Sequence, residues 1–133
     1  MEGQCLCKAV TLTAKPVTEV DACHCTVCRR WGGAPMMTVH CGSDLGISGS
    51  DNISVFKSSE WAERAFCKHC GTHLFYHLLP ANEYIVPVGL FQDQSDFTFT
   101  QQIFIDEKPA FYDFSNQTEN LTGQQVFDKY ASQ

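Results

Sequence analysis

Seven of the eight cysteines fall into three tight clusters: Cys5-Leu6-Cys7, Cys23-His24-Cys25-Thr26-Val27-Cys28 and Cys67-Lys68-His69-Cys70. Thiolates one to three residues apart can point at one centre without straining the backbone. Zinc takes four such ligands in a tetrahedron, with Zn–S near ~2.3 Å. Seven ligands divide as four plus three, which gives one closed site and one site with a position left open. A closed site contributes folding energy. An open one can do chemistry, because water or substrate takes the fourth position. Redox-inert zinc suits thiolate-rich tetrahedral sites better than iron in a reducing compartment.

The residues around the clusters carry further chemistry. Arg29 and Arg30 follow the middle cluster directly. They could bind substrate carboxylates in bidentate pairs, offset the charge of three thiolates, or serve as structural donors to loop carbonyls. Gly32, Gly33, Ala34 and Pro35 read as a turn into the next strand, and Trp31 reads as core. Cys23, Cys25 and Cys28 read as an open zinc site; a second structural zinc closed by another ligand, or a disulfide, are the other readings of the same three residues. Cys41 stands outside all three clusters, and its neighbour His40 points to the opposite face of a strand, which argues against a Cys–His nucleophilic pair. His24 and His69 sit inside cysteine runs whose thiolates already fill the sites. Each is expected to be exposed or hydrogen-bonded to a neighbouring loop. His73 and His77 are expected on one strand face, with Phe75 on the other.

Elements must position these groups. Apolar–polar alternation and β-branched or aromatic enrichment predict strands over 9–14, 18–22, 36–40, 53–57, 64–66, 73–78, 84–90 and 102–105. Residues 42–44 and 46–52, rich in Gly, Ser and Asp, read as breakers. Helix is scarce: one turn over 26–31 and a short C-terminal helix over 124–130 capped by Thr122. Gly71, next to Cys70, suits a knuckle in which the backbone turns sharply toward the sulfurs. The expected class is mainly β, stitched by metal knuckles.

At 133 residues the chain reads as a single domain, 1–133. Ten Phe, four Tyr and two Trp supply core mass. A net charge of −6 argues against nucleic acid as a partner, since phosphate binding needs clustered Lys and Arg. Met1-Glu2-Gly3-Gln4 has neither the basic nor the apolar part of a signal peptide. No apolar run reaches the ~20 residues that span a bilayer. The expected location is the cytoplasm, where clustered thiols stay reduced and bind metal. Open sheet edges make a homodimer the expected self-association.

The chain resembles the glutathione-dependent formaldehyde-activating family, which includes centromere protein V, as a short, bacterial-type member. The resemblance rests on residues 3–10, on the block from Cys23 through Cys28, Arg29 and Arg30 to Gly33, Ala34 and Pro35, on residues 64–74, and more weakly on residues 103–112. It implies bent antiparallel sheets forming a β-tent. It assigns Cys5, Cys7, Cys67 and Cys70 to one structural zinc and Cys23, Cys25 and Cys28 to a second, open zinc. It further implies a zinc-dependent carbon–sulfur lyase-like enzyme that joins glutathione, or a similar thiol, to a small aldehyde such as formaldehyde; by their own chemistry Arg29 or Arg30 would then bind the anionic substrate. The other function class consistent with the residues is a non-catalytic zinc-binding β module that serves as a protein-interaction scaffold. Gln102 stands where relatives often have His.

Overall fold

The computed structural model describes residues 1–131. The protein is mainly β, with two short helices. In chain order the strands are β1 (Glu2–Gln4), β2 (Thr11–Thr13), β3 (Glu19–Cys23), β4 (Met36–His40), β5 (Gly46–Ser48), β6 (Ile53–Lys57), β7 (Ala62–Cys67), β8 (His73–Leu78), β9 (Glu83–Pro87), β10 (Thr98–Ile103) and β11 (Glu119–Leu121). The helices are α1 (Thr26–Gly32) and α2 (Gly123–Ala131). The chain folds into two compact units. One is built from Met1–Thr18 and Thr38–Phe97, the other from Glu19–Met37 and the chain from Thr98 on.

The first unit holds two antiparallel arrays. β1, β2 and β5 form a three-stranded sheet in which Leu12 lies between Gly3 and Ile47. β4, β9, β8, β7 and β6 follow one another in the second array. Val10, Leu12, Val39, Ala65, Leu74 and Val86 are wholly buried and make its core. The β7–β8 register shifts between Ala65 and Phe66, so the ladder is irregular opposite residues 73–75. Phe75 and His77 both meet the Tyr84 ring, at centroid distances of 5.0 and 4.1 Å. They therefore share a side, which corrects the expectation that Phe75 faces away from His77; residues two apart on a strand point the same way.

In the second unit β3, β10 and β11 are parallel to one another. Antiparallel pairing was expected there. Parallel neighbours need long connections, and here the connection from β3 to β10 carries the whole 38–97 segment of the first unit. α2 begins with a reciprocal cap: Thr122 Oγ1 accepts from the Gln125 N–H at 3.2 Å, and Gln125 Oε1 accepts from the Thr122 N–H at 2.7 Å. Phe104 has left-handed backbone (φ 53) and turns the chain out of β10 into a 3-10 turn over Ile105–Glu107.

Several strands match their expected spans and several do not. β4, β6 and β8 start and stop where the pattern places them. β10 ends at Ile103, short of the expected 105, and β9 stops at Pro87, where Val88–Leu90 turn as 3-10. β5 lies inside the run read as a breaker, and β1 and β11 carry no pattern of their own. Strands of three residues are defined by the neighbour that pairs with them, not by local propensity. No helix among the described residues is long and apolar enough to cross a membrane.

Candidate metal centres

The first unit brings Cys5, Cys7, Cys67 and Cys70 together, with their sulfurs all within 4.8 Å of one another. Cys7 Sγ lies 3.7 Å from Cys5 Sγ and 3.6 Å from Cys67 Sγ. A tetrahedron with Zn–S of ~2.3 Å has sulfur–sulfur edges of about 3.8 Å. The thiol geometry therefore fits one tetrahedral metal ion. Two sharp turns make this possible. After Cys5 the chain folds back through Lys8, whose N–H meets Cys5 O at 3.0 Å, and the Val10 N–H points at Cys5 Sγ at 3.3 Å. After Cys67 the Gly71 N–H bonds Cys67 O at 2.8 Å, with Gly71 at φ 75, the left-handed conformation that glycine adopts without a Cβ penalty.

Two residues tie these turns to each other. Thr72 Oγ1 accepts from the Leu6 N–H at 3.1 Å, and its own proton reaches Cys70 Sγ at 3.1 Å. That hydroxyl is the main reason the Cys70 thiol is held down to about 5. Asn52 accepts from the Lys68 N–H through its carbonyl, meets His69 Nε2 at 2.7 Å through Oδ1, and donates from Nδ2 to Ala9 O. His69 is thus exposed and bonded to a neighbouring loop, as its position between thiolates suggests.

The second unit brings together Cys23, Cys25 and Cys28. Local structure explains the spacing. Cys23 is the last residue of β3 and Cys25 is the N-cap of α1. Cys28 lies in the first turn of α1, where its N–H reaches Cys25 Sγ at 3.3 Å. A cysteine at a helix N-cap and another three residues on point to one spot, as an N-cap oxygen does toward the third helical N–H. The Cys25 thiol is held well below its usual range by hydrogen bonds from Cys23 and then Cys28, while those same bonds and burial push Cys23 up. Cys25 is the one of the three that is not buried. Among the described residues no fourth cysteine, histidine, aspartate or glutamate joins this set, Cys41 included.

His24, between two of these cysteines, is fully buried, so of the two expectations for it, exposure or a hydrogen bond to a neighbouring loop, the second holds, through Tyr112. Its Nε2 lies 2.8 Å from Gln102 Oε1 and its Nδ1 2.7 Å from the Tyr112 hydroxyl. Both ring nitrogens are occupied, so His24 is not a metal ligand. Arg29 and Arg30 part company. Arg29 is half-buried and its Nε donates to His24 O at 2.9 Å, whereas Arg30 is exposed in the last turn of α1. Trp31 is only partly buried, and 32–34 form an exposed turn into β4. Cys41 is buried, its thiol pushed up to about 11 chiefly by that burial, while His40 bonds Glu83 at 2.7 Å. Thr72, Lys108 and Tyr112 are the site-supporting residues that sequence reasoning passed over. Thr72 had a local signal, two residues beyond a knuckle cysteine, and Lys108 and Tyr112 lie in the 103–112 stretch that carries the weaker resemblance.

A family model described as glutathione-dependent formaldehyde-activating enzyme matches residues 1–107. An uncharacterized lyase of Schizosaccharomyces pombe is 40% identical over 129 residues, covering 94% of this chain and 93% of the relative. The crystal structure of a Rhodobacter sphaeroides protein matches at 26% identity with a TM-score of 0.60, over 69% of this chain and 88% of that one.

Proposed function

Because the chain belongs to the glutathione-dependent formaldehyde-activating enzyme family, we propose that it is a zinc-dependent carbon–sulfur lyase-type enzyme that reversibly joins a small thiol to a small aldehyde. The family description points to glutathione and formaldehyde as the pair, and the lyase name of the Schizosaccharomyces pombe relative agrees with the reverse direction. The observation that carries the reading is the three-cysteine set with no fourth protein ligand among the described residues.

Cys5, Cys7, Cys67 and Cys70 would hold a structural zinc, and Cys23, Cys25 and Cys28 a second. Bound at the second set, zinc supplies Lewis-acid charge that favours the thiolate form of an incoming thiol. In the reaction a sulfur–carbon bond forms, the carbonyl π bond breaks, and the thiol proton ends on the former carbonyl oxygen. The chain's own residues do the positioning. Cys25 marks the accessible side of the set, since Cys23 and Cys28 are buried. Arg29, anchored through Nε, directs its terminal nitrogens to a substrate carboxylate, the pairing guanidinium favours. Arg30, exposed, adds long-range attraction for an anionic thiol.

The test is zinc content per chain together with the rate of exchange between free and thiol-bound formaldehyde, followed by ¹³C exchange NMR with glutathione. Wild type is expected to hold two zincs and accelerate exchange. Cys25→Ser is expected to hold one, stay folded and lose the acceleration; an unchanged rate in Cys25→Ser would sink the proposal. Exposed Val55, Phe56 and Trp61, on and beside the edge strand β6, favour a second reading, a non-catalytic zinc-binding β module that offers apolar side chains to a protein partner. Two zincs with no acceleration would select it.

A further inference from the structure

Tyr112 and His24 are 88 residues apart in sequence and meet through one hydrogen bond. His24 is held at four points. Its N–H bonds Ile103 O at 3.1 Å, its carbonyl accepts from Arg29 Nε, its Nε2 meets Gln102 Oε1, and its Nδ1 meets the Tyr112 hydroxyl. Gln102 is itself oriented, because its Nε2 donates to Thr118 Oγ1 at 2.9 Å and Thr118 donates onward to Asn120 Oδ1 at 2.7 Å. With the amide nitrogen engaged, Gln102 presents its carbonyl oxygen, which only accepts. His24 must then carry its proton on Nε2, and its bare Nδ1 accepts from Tyr112.

A half-buried lysine fixes the loop that delivers Tyr112. The Lys108 side chain is 14% exposed and its ammonium bonds Pro109 O at 3.0 Å, Tyr112 O and Asp113 Oδ1 at 2.8 Å. The same ammonium sits 5.0 Å from the Tyr112 ring centroid. The Tyr112 ring also stacks on His24 at 5.5 Å, and Phe114 closes on both. Burying a polar ring with two directed partners is costly unless both bonds are made, and both are made here. The position of His24 between Cys23 and Cys25 gives the reason for it.

We infer that Tyr112 is a positioning residue for the Cys23, Cys25 and Cys28 site. It acts through His24 to hold the ligand loop in its three-cysteine geometry, with Lys108 as the staple of the loop that carries it. Groups that orient metal ligands from outside the coordination shell typically alter metal affinity by roughly 10–100-fold when removed. Here the orientation passes along one peptide link to each of two cysteines. This rests on the proposed use of the three cysteines as a metal site.

The test is Tyr112→Phe, which removes one hydroxyl and keeps the ring. Zinc-loaded protein is titrated with a chromophoric chelator. Wild type is expected to give two zincs of different affinity. In Tyr112→Phe the weaker site is expected to bind roughly 10–100-fold less tightly while the tighter one is unchanged. A weaker site that binds zinc as tightly in Tyr112→Phe as in wild type overturns the inference. Wild type holding a single zinc overturns the underlying reading, a distinguishable result. A second measurement needs no variant: the ¹⁵N shifts of His24 in wild type are expected to report a proton on Nε2 and an accepting Nδ1. A proton on Nδ1 overturns the inference even if the variant does not fold.

Discussion

Arg29 and Arg30 are adjacent in sequence and unlike in place. Both lie in the last turn of α1, where a cation is favoured by the helix dipole. Only Arg29 is tethered to the 23–28 loop, through His24 O. If Arg29 pairs with a substrate carboxylate, losing that charged bond removes about 1.5–3 kcal/mol of binding. Arg29→Ala is then expected to raise KM for glutathione roughly tenfold or more, with little effect on a thiol that lacks a carboxylate, such as 2-mercaptoethanol. Arg30→Ala is expected to stay within about twofold for both thiols at physiological salt, where an exposed charge is largely screened. Equal losses for both thiols in Arg29→Ala would mean that the residue only supports His24. Cys41 offers a separate check on burial. With its thiol near 11, alkylation by iodoacetamide at pH 7.5 is expected only after unfolding, read by mass spectrometry of the 41-containing peptide. Labelling of Cys41 in the folded protein would contradict its place in the structure.

At the level of elements, the loop from β5 to β6 is held by a steric constraint that pairs remote residues. Gly49 has φ 82, and a Cβ built on it would lie 2.0 Å from Ala9 O. The left-handed backbone alone costs a non-glycine residue about 1–2 kcal/mol, and the collision with a backbone oxygen adds to it. Gly49→Ala is therefore expected to destabilise the first unit by about 3 kcal/mol or more, seen as a lower urea midpoint at unchanged m-value. A loss under about 1 kcal/mol would mean that the 49–52 turn and the loop after Cys7 do not share this close approach. The constraint was not legible in the sequence: Gly49 looks like any loop glycine, and its partner lies forty residues earlier. What was legible was local. Cys23, Cys25 and Cys28 announce their own convergence, because strand end, N-cap and first helical turn follow from six consecutive residues. The Thr122 cap and the spans of β4, β6 and β8 were equally visible. β5, β11 and the parallel pairing of β3 with β10 were not, since each is fixed by a neighbour far away in the chain. Tyr112 and Lys108 were missed for the same reason; their role exists only once the turn at Phe104 has brought their loop back to His24.

Each unit of the molecule keeps a histidine neutral. In the first, burial and then the Arg64 cation lower the pKa of His73 from its usual 6.5. In the second, burial and then Lys108 and Arg29 lower that of His24, against its hydrogen bond to Gln102 Oε1, which opposes the shift. An unfolded chain protonates both near 6.5; the folded chain does not until lower pH. Between those points the unfolded state binds more protons, so stability rises with pH. The contribution is fully present above about 6.5 and is lost as pH falls below it toward the folded values. Acid also protonates cysteine thiolates and releases bound metal, so a fall in stability alone would not identify the histidines. His73→Gln isolates one of them: it keeps a polar side chain and removes the titration. The urea midpoint of wild type is expected to fall between pH 7.5 and 5.5, and that of His73→Gln to fall less, both at the same zinc loading. The comparison is of slopes, because the substitution shifts the absolute midpoint by its own packing effect. If the two slopes coincide, His73 is protonated alike in both states. The arginine beside it on β7 then plays no part in the acid sensitivity, which falls to the other titrating groups, His24 and the cysteine thiolates among them.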